Sequence, residues 1–125
     1  MKCGPENIGK VLSVVGEKDE HGRDLKEIFS YILTDDSVRI LMPNSCSLVM
    51  FVRFRGEEWD GHIIGDKEVA KKAIEWMFEN EQCEVISWLP PTRALKRVAR
   101  RLDKYLGSHQ VGDRHVIERS ALCQQ

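Results

Sequence analysis

The sequence has no apolar run approaching the roughly 20 residues that cross a bilayer as a helix, so neither a helical membrane span nor a membrane partner is expected. Its first residues, MKCGPENIGK, lack the apolar core of a secretory leader. Together these set the expectation of an intracellular, cytoplasmic chain. Cysteine is sparse. Cys3, Cys46, Cys83 and Cys123 form no CxxC pair, and no two histidines stand at finger-like spacing. Structural zinc is therefore not expected, and scattered thiols in an intracellular chain stay reduced. Internal repeats and low-complexity linkers are also missing. There is no excess of charge of one sign: 19 Lys and Arg face 20 Asp and Glu, for a net charge of -1. General electrostatic attraction to nucleic acid is thus not expected, and any such attraction must come from a local patch.

What is present fits one folded domain over residues 1–125, with 42% hydrophobic and 31% charged residues. The run IGKVLSVVGE alternates apolar and small residues and reads as a first strand, with a short helix as the other option. Asp24 is placed to cap a helix over LKEIFSYILTDD, in which Leu25, Ile28, Phe29, Ile32 and Leu33 form a stripe. VRILMPN is a short apolar run ended by Pro43 and Asn44. SLVMFVRFRGEEWDGHIIG divides into two strands at a hairpin turn around Gly56.

The second half, residues 59–117, carries the most information. Strand WDGHIIG leads into a helix over 67–79, with Val69, Ala70, Ala73, Ile74, Met77 and Phe78 facing inward. Strand CEVISWL follows and is ended by Pro90 and Pro91. Thr92 is placed to cap a basic helix, whose buried stripe is Leu95, Val98, Ala99, Leu102 and Leu106 and whose end is Gly107. Gln110 to Glu118 reads as one last strand bent by Gly112, and SALCQQ as a frayed tail. A strand–helix–strand unit with short joints predicts that strands 60–64 and 83–89 are adjacent and parallel. The basic helix carries Arg93, Lys96, Arg97, Arg100, Arg101 and Lys104, with Asp103 its only acid. A solvated face, an anionic cofactor, nucleic acid and an acidic protein partner all remain open for it.

The pieces WDGHIIG, AIEWMFENEQCEVISWLPP and RALKRVARRLDKYLG together resemble the C-terminal core of the GNAT superfamily of acyl-CoA-dependent N-acyltransferases, nearest to small phage-encoded members. The resemblance implies an α/β fold with a mixed central sheet and helices on both faces. In it, residues 1–58 are the N-terminal part, 59–118 the cofactor-side core and 119–125 the tail. It further implies acetyl-CoA as cofactor and an amine as acceptor. The family motif Q/R-x-x-G-x-G/A holds the coenzyme pyrophosphate at a helix N-terminus and falls on HIIGDKEVA. Gly65 takes the middle glycine, His62 stands where Gln or Arg is expected, Lys67 where Gly or Ala is expected, and Asp66 brings a negative charge.

By the same resemblance, Ile63, Gly65 and Lys67 would lie against the thioester and pyrophosphate, and Arg93 and Lys96 would approach the adenine end. The family's general-acid Tyr, four residues before the helix-ending glycine, is replaced here by Asp103. A general base would come from Glu58 or its neighbours Glu57 and Asp60, or from His62 at the strand end. For His62 the alternative is a packed residue bonded to backbone. Three functions stay open: an N-acyltransferase; a non-catalytic phage head-assembly or infectivity protein on the same fold, with a viral protein partner; and a nucleic-acid-binding module using the helix 93–104.

Overall fold

The computed structural model describes residues 1–90 and 93–123; the side chains of Lys67, Ala94, Leu95, Val98, Leu102, Tyr105, Leu122 and Cys123 lie outside that description. Thr92, expected as a helix cap, and Pro91, expected as a strand end, fall outside it as well. Six strands form one sheet in the order β1-β2-β3-β4-β6-β5. They are β1 (Val38–Asn44), β2 (Ser47–Arg55), β3 (Glu58–Ile64), β4 (Val85–Trp88), β5 (His109–Val111) and β6 (Arg114–Glu118). The helices are α1 (Ile8–Val15), α2 (Leu25–Ile32), α3 (Ala70–Asn80), α4 (Arg93–Leu106) and α5 (Arg119–Cys123). No helix among the described residues is long and apolar enough to cross a membrane. The chain divides into two compact units, Met1–Val52 with His62–Ala73, and Arg53–Gly61 with Ile74–Gln125.

In the first unit, β1 and β2 pair antiparallel from Val38↔Val52 to Asn44↔Ser47, with a register shift between Leu41 and Asn44. Pro43 lies within that register shift, where the regular ladder to β2 is interrupted and a missing N–H breaks no regular ladder bond. Residues 1–3 cover part of that edge: Cys3 N–H donates to the Ile40 carbonyl and Met42 N–H to the Met1 carbonyl, both at 2.8 Å. Cys3, Val11, Phe29, Ile40 and Leu48 form the core, with Ile8, Val15, Leu25 and Ile32 packed against it. IGKVLSVV is a helix, not the expected strand. Ile8, Val11, Leu12 and Val15 recur at spacings of three and four, and that stripe buries Val11 completely. Asp24 caps α2 as expected, its carboxylate accepting from Lys26 N–H. That helix stops at Ile32, and Ile28 is exposed on it.

In the second unit, β3 and β4 are adjacent and parallel, with Glu58, Trp59 and Asp60 opposite Val85, Ile86 and Ser87. The expected crossover is therefore present. β4 pairs antiparallel with β6, and β6 with β5. The expected single last strand is a hairpin: Gly112, at φ +61, reverses the chain between β5 and β6. Trp59, Ile74, Met77, Phe78, Cys83, Ile86, Ala99, Leu106 and Ile117 are buried. Leu95, Val98 and Leu102, expected beside them, lie outside the described side chains. The segment read as a frayed tail forms α5 over Arg119–Cys123. Arg119 anchors it, with its N–H on the Glu84 carbonyl at 2.9 Å, its Nη1 on Glu84 Oε1 at 3.0 Å and its Nη2 on the Phe78 carbonyl.

Candidate functional site

The loop matching the cofactor motif lies in the first unit, where β3 ends. Gly65 has φ +98, a conformation that side-chain-bearing residues rarely adopt. A Cβ there would lie 2.6 Å from the Cys46 carbonyl oxygen and 3.0 Å from the Ser47 Cα and Oγ. The chain's own backbone at Cys46–Ser47 thus requires this glycine. Two of the donors that follow are also satisfied from within. Asp66 N–H donates to Ser47 Oγ at 2.9 Å, and Glu68 N–H donates to Asp66 Oδ1 at 2.9 Å. The Asp66 carboxylate therefore caps the start of the 3-10 turn Lys67–Val69, which leads into α3.

Free N–H groups and the helix dipole make such a start attractive to an anion. Here a carboxylate of the chain already stands in that place, and it repels a second anion. Coenzyme A carries a pyrophosphate, and this loop as built does not fit it. Of the neighbouring candidates, Ile63 is half-buried and His62 is exposed near the end of β3, not packed in the core. The Lys67 backbone opens the 3-10 turn.

Glu58 belongs to the second unit and opens β3. Arg55 Nε donates to its Oε2 at 3.1 Å across the hairpin turn. His62, the other suggested proton-transfer group, stands four residues further along the same strand. Asp60, another suggested base, is paired with Arg114, whose Nη2 also donates to Ser87 Oγ at 3.0 Å.

A third cluster was not expected from the sequence. His115 on β6 is 1% exposed, and its Nδ1 lies 2.7 Å from Asp103 Oδ2 and 2.9 Å from Oδ1. An ionised carboxylate only accepts, so Nδ1 carries the proton. Ser108 Oγ donates to Asp103 Oδ1 at 2.5 Å. The Gly107 and Ser108 N–H groups close the helix end on the Asp103 carbonyl, at 3.0 and 3.1 Å. The imidazole also stacks on Trp88, its direct cross-strand partner, with ring centroids 5.9 Å apart. Asp103 occupies the position where the resemblance expects a Tyr general acid. Its carboxylate is instead turned to a buried histidine, tying α4 to β6.

That arrangement leaves α4 without a surface acid of its own that is free to pair with the helix cations. Arg93, Lys96, Arg97, Arg100, Arg101 and Lys104 are all exposed. Among the described residues, ion pairs join Arg23 to Asp19, Arg55 to Glu58, Arg114 to Asp60 and Arg119 to Glu84, and none includes these six cations. Arg93 and Lys96, expected near a coenzyme, are two members of this exposed row.

No protein-family model matches the chain, and no curated protein matches it. Solved structures do. The spermidine N-acetyltransferase of Vibrio cholerae in complex with CoA and spermine is 13% identical, with a TM-score of 0.73 over 98% of this chain and 96% of that one. A chimera of the Vibrio cholerae enzyme SpeG with hSSAT is 14% identical, with a TM-score of 0.73 over 99% and 98%. At such identities the likeness is one of fold: the chain has a GNAT-like α/β fold with a six-stranded mixed sheet.

Proposed function

We propose that this chain is a GNAT-fold protein that works by binding a macromolecular partner and not by acyl transfer. The observation that carries this reading is the Asp66 cap. Its carboxylate takes the Glu68 N–H, and Ser47 takes the Asp66 N–H, so two donors that a pyrophosphate would use are engaged inside the protein. The engagement of Asp103 with His115 and Ser108 supports it independently, since the general-acid position serves the helix–sheet contact. A phage head-assembly or infectivity protein is one form such a role takes.

A second reading is favoured by the fold. Neighbours matching almost the whole chain include an N-acetyltransferase bound to CoA and spermine. On that reading the chain is an acyl-CoA-dependent N-acyltransferase acting on an amine. Ile63, Gly65, Lys67, Arg93 and Lys96 would hold acetyl-CoA, Glu58 or His62 would serve as base, and Asp66 would have to leave its cap.

Calorimetric titration with acetyl-CoA separates the two. Silence at millimolar ligand is expected for the parent protein. Micromolar binding by the parent would overturn the binding-protein reading and establish the enzymatic one as the better account. Asp66→Asn removes the charge and keeps an amide oxygen for the cap, so any residual affinity should rise in that variant.

A further inference from the structure

We infer that the exposed face of α4 is a docking surface for the phosphate backbone of double-stranded nucleic acid. The inference names the partner of the binding role proposed above and rests on that reading, but its test does not involve acyl-CoA. At 100° per residue, the six cations of α4 fall within an arc of about 140°, in a stripe about 16 Å long. Four of the six are arginines, Arg93, Arg97, Arg100 and Arg101. The guanidinium fork suits phosphate oxygens and holds its charge at any working pH.

The chain's net charge is -1, so six cations with a single acid on one helix are a local segregation of charge and not the expression of a basic chain. The segregation has a structural origin. Asp103, the only acid of the helix, is turned to His115, and the opposite side of α4 is held down by Ala99 and Leu106, which are buried. The cations are therefore presented on a helix whose described apolar residues, Ala99 and Leu106, are already covered.

A duplex is favoured over a single strand because, at 100° per residue, no aromatic residue of α4 falls within the arc of the cations to stack on unpaired bases. It is favoured over an acidic protein because a polyphosphate presents a dense, regular row of charge. B-DNA carries one charge per about 1.7 Å of axis, enough to engage every cation of a 16 Å stripe.

The test is fluorescence anisotropy of a labelled duplex DNA of about 20 base pairs, titrated with the full chain from about 50 to 200 mM salt. Each phosphate neutralised contributes about -0.9 to the slope of log K against log salt, so six engaged cations give a slope of about -5. Arg97→Ala should weaken binding to all duplex sequences alike and reduce the slope by about one. Arg97→Glu with Arg100→Glu should abolish binding. Both sites are exposed, so circular dichroism and the urea midpoint should match the parent. Three results would each overturn the inference: no binding near 50 mM salt, an unaltered affinity in the double charge reversal, or equally tight binding of polyglutamate with the same slope, which would assign the surface to an acidic protein.

Discussion

Gly65→Ala separates two reasons for a glycine at the end of β3. If the glycine exists so that a phosphate can approach the backbone, the substitution affects a ligand and spares stability. If it exists because the backbone passes over Cys46 and Ser47, the substitution is destabilising by itself. A new Cβ would stand 2.6 Å from the Cys46 oxygen and 3.0 Å from two Ser47 atoms, and two of these three neighbours are backbone that cannot swing aside. The positive φ alone costs a non-glycine residue about 1–2 kcal/mol. Forcing a methyl into an occupied space adds about 1–3 kcal/mol. Displacing Ser47 also threatens its hydrogen bond from Asp66, worth about 1 kcal/mol. These costs share one distortion and do not add fully, so a loss of about 3 kcal/mol is expected. Urea unfolding of the parent and the variant measures it directly. A loss under about 1 kcal/mol would show that the loop relaxes at little cost and would refute the packing account.

Two further outcomes follow from buried groups in the second unit. Asp103→Ala leaves the His115 Nδ1–H without its acceptor in a site that is 1% exposed, and should cost about 1–3 kcal/mol in urea unfolding, while Asp103→Asn keeps an acceptor oxygen and should lose less; equal losses for the two would mean that the carboxylate charge, and not an acceptor oxygen of the same shape, carries the contact. Burial pushes the Cys83 thiol up to about 12 from an ordinary 9.0. The folded state thus favours the protonated thiol, and this contribution to stability is full below about 9 and lost as pH rises from there toward 12. The unfolding free energy of the parent should therefore fall more steeply with pH above that point than that of Cys83→Ala, and parallel curves would count against the burial of this thiol.

The central part of the fold was legible because its signals are local and repeat. Ala73, Ile74, Met77 and Phe78 follow the helical period and are all buried. The short joints around them left a parallel crossover as the economical arrangement, and the register Glu58–Asp60 against Val85–Ser87 agrees. The N-terminal run was harder. IGKVLSVV is eight residues long, short enough for alternation and a 3.6 period to compete, and Gly9 and Ser13 fall where either pattern tolerates them. Gly112 signalled a change of direction, but a bend and a full reversal use the same residue, and only the pairing of Val111 with Arg114 decides for reversal. In the tail, α5 depends on Arg119 reaching Glu84, 35 positions away, which no local pattern encodes.

The site was legible in its parts and not in its connections. That Asp66 is the wrong charge for a phosphate loop was plain in the sequence; that it closes the loop depends on Ser47, 19 positions away on another strand. Asp103 carried a usable signal. A lone acid among six cations on one helix is electrostatically favourable in almost any orientation, so its failure to pair with its neighbours points to a stronger partner elsewhere. That partner is His115, which is buried on a strand whose alternation marks its position as inward. The two departures have one physical character. At each, a carboxylate stands at a position the resemblance assigns to the cofactor loop or to the general acid, and each is satisfied by the chain's own donors. A carboxylate held in place by its own fold stabilises that fold, and selection for stability alone could keep both. The cations of α4 cannot be explained that way. They are exposed, mutually repulsive and in no ion pair among the described residues, so each adds to the cost of folding the helix, and a surface of that kind is maintained more readily by a partner of opposite charge than by the fold itself.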